Sequence, residues 1–107
     1  MQNISLFCYN TLMASNLDYL NFVLELLREL DGISYRKMMG EFILYKNGVI
    51  FGGIYDNRFL IKKTSTNEQY NLKDTLPYPS GSLMYVVDSE DPDEVKEIVL
   101  NTLKGLK

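Results

Sequence analysis

Between Leu17 and Leu30, apolar residues return every three or four positions. Leu20, Val23, Leu24, Leu27 and Leu30 share one side, Leu17 and Leu26 widen the stripe, and Asp18, Glu25, Arg28 and Glu29 are left for water. That is the period of an amphipathic helix. Ser15-x-x-Asp18 offers a capping pattern at its start, and Gly32 offers a left-handed residue beyond its end. A helix is therefore predicted over residues 16–31. From Ile33 the pattern changes to short apolar runs separated by turn residues, which predicts strands at Ile33–Met38, Glu41–Lys46, Val49–Tyr55 and Arg58–Lys63. Gly40 permits the first bend. Asn47-Gly48 is a strong type I′ hairpin signal, because both central residues must take positive φ, and Asp56-Asn57 is a weaker form of it.

Thr64–Ser82 is polar and contains Pro77, Pro79 and Gly81, so it reads as a long connection with a short helical turn near Asn67–Leu72. Ser82–Val87 reads as a buried fifth strand. Asp91-Pro92-Asp93-Glu94 then supplies an N-cap, a proline at the first helical position and acids in the first turn. Val95, Ile98, Val99, Thr102, Leu103 and Leu106 form one face of that helix, and Gly105 ends it. The predicted fold is α+β: an antiparallel five-stranded sheet, built as a four-strand meander plus one, with N- and C-terminal helices. Met13-Ala14-Ser15 looks like a second beginning. Residues 1–12 are accordingly expected to be a mobile extension ahead of a single domain over 13–107. The uncharged Ile4–Tyr9 segment also suits a strand added at a sheet edge.

Charge alters this picture only locally. The chain carries a net −3, yet Ile33–Lys63 holds six bases and two acids, +4, so the remaining residues sum to −7. The bases Arg36, Lys37, Lys46, Arg58, Lys62 and Lys63, with Tyr45 among the interleaved tyrosines, are the candidate contacts for a partner or for nucleic acid. The competing reading is that they are solvated residues protecting sheet edges. Nucleic-acid binding is expected to be weak and non-specific, because the acidic remainder opposes close approach.

Chemistry is sparse. The chain has no histidine and one cysteine, Cys8, so an intramolecular disulfide is impossible and the usual neutral-pH base is missing. No SxxK pattern accompanies Ser65, Ser80 or Ser82. The six acids of Asp88–Glu97 sit at a helix start and lack the spacing of a calcium loop. No catalytic residue, cofactor or metal is assigned. Gly52-Gly53, in mid-strand, admits close approach of a ligand or a partner's backbone, or a bulge, or room for a bulky side chain from a helix packed overhead. Met38 and Met39 are adjacent, so in extended chain they point to opposite faces and one is free to meet a partner.

Ser34-Tyr35-Arg36-Lys37-Met38-Met39-Gly40-Glu41-Phe42, the pattern Tyr45-x-x-Gly48-x-x-Phe51-Gly52-Gly53-Ile54-Tyr55-Asp56, Arg58-Phe59-Leu60-Ile61-Lys62 and Pro77-Tyr78-Pro79 resemble the N-terminal domain of the TfoX (Sxy) competence regulators, over about Met13 to Leu106. The resemblance implies a secretion-chaperone-like α+β architecture and a cytoplasmic regulator that assists transcription of competence genes alongside the cyclic-AMP receptor protein. Members carry a second, helical domain, and this chain ends at Lys107, so the resemblance implies a stand-alone relative of the N-terminal half. The expected function is a non-enzymatic module that contacts a protein partner of the transcription machinery and is able to form a homodimer through an open sheet edge. The alternatives are a small enzyme or ligand-binding protein with a Lys/Tyr/carboxylate site, and weak nucleic-acid binding by the basic strands.

Overall fold

The computed structural model describes residues 16–106. The first helix, α1, spans Leu17–Leu26. Its N-cap is Asn16, whose side chain accepts from the Tyr19 amide. The cap thus falls one residue after the Ser15 predicted from Ser15-x-x-Asp18; Ser15 itself and the expected boundary after residue 12 lie outside the described residues. The helix predicted to residue 31 stops five residues earlier. The Leu27 amide is shared between the Val23 and Leu24 carbonyls, and the next bonds run Arg28 to Glu25 and Leu30 to Leu27. The ladder thus tightens from i−4 to i−3 spacing. Leu26, Leu27 and Leu30 stay buried through these turns, whereas Leu17 is exposed.

The chain then folds back and forth through β1 (Ile33–Met38), β2 (Glu41–Lys46), β3 (Val49–Tyr55) and β4 (Arg58–Ile61). A 3₁₀ turn at Glu68–Tyr70 and a strand β5, Asp74–Thr75, precede β6, Met84–Val86, and helix α2, Pro92–Lys104. The sheet has six strands, not five, in the order β1-β2-β3-β4-β6-β5, and its five pairings among the described residues are antiparallel. The extra strand is two residues long, too short for any period to reveal. β6 is half-buried rather than buried, and Leu83 just before it is exposed, because the helices cover only one face of the sheet.

All three meander turns have two residues at positive φ: Met39-Gly40, Asn47-Gly48 and Asp56-Asn57. This is type I′ geometry, whose twist matches that of the flanking strands. Gly32 has φ 75° but does not cap α1. Its carbonyl accepts from the Asn47 amide, and a Cβ there would overlap the Asn47 side chain. It is glycine so that the chain can cross the second turn closely.

Both helices lie on one face of the sheet. Leu20, Val23, Leu27, Val95, Ile98 and Val99 meet Phe42, Leu44, Phe51, Ile54, Phe59 and Ile61 in one core. The register shift between Leu44 and Tyr45 leaves Phe51 with no opposite residue, a bulge that adds its ring to this core. A polar pin closes the far end. Asn67 is buried, accepts from the Thr64 amide, and donates to the Lys62 carbonyl and the Thr102 hydroxyl. The α2 cap is as expected: Asp91 accepts from the Asp93 amide, with Pro92 in the first turn. No helix among the described residues is long and apolar enough to cross a membrane.

Candidate functional site

Strand register sorts the side chains that sequence reading grouped together. Residues directly opposite each other share a face, and alternate residues switch it. Arg36 lies opposite Ile43, and Tyr45 opposite Ile50, both on the face away from the helices; Arg58 and Lys62 follow Leu60's alternation onto the same face. Lys37 and Lys46 fall on the helix side, opposite Phe42 and Val49 respectively. The Lys63 ammonium pairs with Asp74 at 3.1 Å and lies 5.1 Å from the Tyr85 ring centroid. The seven candidate residues are therefore divided between two faces, and no continuous basic strip joins them. Period-two alternation, applied to each strand separately, separates Arg36 from Lys37; the assignment of the rest needs the register.

Arg58 is not a free cation. It is half-buried, and its guanidinium donates to the Tyr55 carbonyl at 3.1 Å, the Thr75 hydroxyl at 3.1 Å and the Pro77 carbonyl at 3.2 Å. These bonds hold the loop after β5 over the open face of the sheet. There the Tyr78 and Tyr55 rings meet, with centroids 6.2 Å apart. The loop is closed by a turn in which the Gly81 amide donates to the Tyr78 carbonyl at 2.9 Å, with Pro79 second in the turn. The result is a half-open cleft of about 370 Å³ walled by Ile50, Tyr55, Pro77, Tyr78 and Leu83, with Lys62 on its rim. Burial, followed by the neighbouring Tyr78 and Glu41, raises the Tyr55 phenol above its ordinary pKa.

The two central glycines serve this arrangement. A Cβ on Gly53 would stand 2.7 Å from the Phe42 carbonyl and 2.8 Å from the Tyr55 ring, and one on Gly52 2.2 Å from the Leu60 carbonyl. The bulge expected at this pair falls one residue earlier, at Phe51, and both glycines are regularly paired. The bulky side chain that Gly53 accommodates is Tyr55 from its own strand, rather than one from a helix overhead.

A second surface lies at the sheet edge. β1 has one strand neighbour among the described residues, and five of its six residues are exposed. Tyr35 packs edge-on against Phe42 yet remains 48% exposed, Met38 is equally exposed, and Met39 at the hairpin tip is 97% exposed. Met39 also holds φ 53°, a conformation that asparagine or glycine adopts more easily. No group of three or more metal-binding side chains occurs among the described residues.

Compared with family models, the chain matches the TfoX N-terminal domain over residues 25–87, more than half of its length. The matched region takes in the end of α1 and the whole sheet, and so both surfaces described above. A search of the curated proteins finds no match.

Proposed function

The chain belongs to the TfoX N-terminal domain family, and from that premise we propose that it is a non-enzymatic, cytoplasmic regulatory module that contacts a protein partner in bacterial transcription. The observation that carries the reading is Met39. Two hairpin turns of this meander have nearly the same backbone, φ 50° and 84° at Asn47-Gly48 and φ 53° and 85° at Met39-Gly40. Asparagine suits the first of these positions. Methionine at the second is less favourable for the backbone and, being 97% exposed, does not offset this by packing within its own chain. A flexible thioether at the tip of a projecting hairpin, next to the half-exposed Met38, is suited to an apolar seat on another protein.

Site-specific photo-cross-linking in cells tests this. A photoreactive residue at position 39 is expected to capture one discrete transcription-associated protein, and the same residue at position 47 is expected to capture none. Equal labelling from both turns, or none from position 39, would defeat the proposal. Direct nucleic-acid recognition has less support, because the bases are split between faces and Arg58 is engaged within the fold.

A further inference from the structure

We propose that the cleft between the open sheet face and the Pro77–Leu83 loop binds a small aromatic carboxylate. This inference stands apart from the hairpin contact proposed above and does not depend on it. Three observations carry it.

The cleft is built rather than incidental. One guanidinium, that of Arg58, is anchored on the Tyr55 carbonyl and fastens its roof through two hydrogen bonds, to Thr75 and Pro77, and the Tyr78–Gly81 turn stiffens the loop from within. Gly81 is glycine where a Cβ would meet Pro77 at 2.9 Å and the Tyr78 ring at 3.0 Å. A pocket held this way does not have to be ordered by its ligand, which removes one cost of binding. Its volume of about 370 Å³ lies in the small-molecule range rather than in that of a protein interface.

The walls define the body of the ligand. Tyr55 and Tyr78 are inclined at 55° to one another, and Ile50, Pro77 and Leu83 supply aliphatic surface beside them. A flat ring laid against a tilted aromatic pair gains edge and face contacts together.

The rim defines its charge. Two lysines and no carboxylate line the cleft. Lys63 is committed to Asp74, whereas Lys62 has no ion pair among the described residues, leaving its ammonium to a carboxylate oxygen. Glu41, whose charge reaches Tyr55, is turned to the Asp56 amide at the hairpin end.

The test titrates the full chain with 2-naphthoate and with 2-naphthamide, which has the same body without the charge, and follows backbone amide NMR shifts. The naphthoate is expected to saturate with a Kd of about 1 mM or below, to move Tyr55, Lys62, Tyr78 and Leu83, and to bind about tenfold more tightly than the amide. Lys62→Gln should bring the naphthoate down to the affinity of the amide, while Lys73→Gln, outside the cleft, should leave it unchanged. Equal affinity for the two probes, no saturation by about 10 mM, or shifts centred on the groove between α2 and the β2–β3 hairpin would each overturn the assignment.

Discussion

The two faces of this sheet meet the same demand, covering apolar strands, by different means. One face is sealed by two amphipathic helices mainly through side-chain packing: Phe51, Phe59, Leu20 and Ile98 are essentially inaccessible, and many weak contacts share the load. The other is covered only in part, by a proline- and tyrosine-containing loop attached through Arg58. The sealed face places most of the stability; the open one leaves a cleft and an exposed hairpin where other molecules can approach. The difference lies in redundancy. Loss of one side chain on the helix face leaves a cavity, whereas loss of Arg58 releases a whole loop.

The largest effect should come from the sealed face. Phe51→Ala removes a buried ring at the bulge and is expected to cost about 3–5 kcal/mol in denaturant unfolding. A cost under about 1 kcal/mol would mean that the bulge relaxes to fill the space.

Arg58→Ala, on the other face, should cost less, about 2 kcal/mol, since it removes hydrogen bonds from a half-buried charged donor. It should also make the Leu76–Leu83 segment newly sensitive to limited proteolysis while the helix-covered core stays protected. Global loss of protection would show that the two faces are not separable.

The turns at Asn47-Gly48 and Met39-Gly40 sharpen the comparison between stability and exposure. Gly48→Val is expected to destabilise by more than about 1 kcal/mol, because a β-branched residue is strained at φ 84°. Met39→Asn should stabilise by about 0.5 kcal/mol and abolish cross-linking from the neighbouring Met38 position. Unchanged cross-linking would separate the strained residue from the contact.

The smallest effect concerns pH. Tyr55 has its phenol value raised above 10.0 by burial, with Tyr78 and Glu41 adding to it. The folded state thus holds that proton more tightly than the unfolded chain does. The stabilisation is complete below pH 10 and is lost as pH rises through the folded-state value. Tyr55→Phe should flatten the fall of stability in that alkaline window and leave neutral pH unaffected, as read by thermal melts at several pH values.

Local physics was sufficient for much of this molecule. Asn47-Gly48 and Asp56-Asn57 announce their turns because the backbone conformation is confined to two residues. The spacing of Leu20, Val23, Leu27 and of Val95, Ile98, Val99 identifies both buried helix faces because a helix repeats within a few residues. Asp91-Pro92 caps α2 for the same reason. What the sequence could not supply are the features made by groups distant along the chain. β5 exists only because Asp74 and Thr75 meet β6, and the early end of α1 reflects a slip in its hydrogen-bond ladder. The basic residues, close in sequence, are parted by strand alternation and register. Arg58 changes from a presumed surface cation to a clasp only when a loop some twenty residues later returns to it. Tertiary structure decided these matters because hydrogen bonds and packing act through space, and a cleft belongs to no single segment.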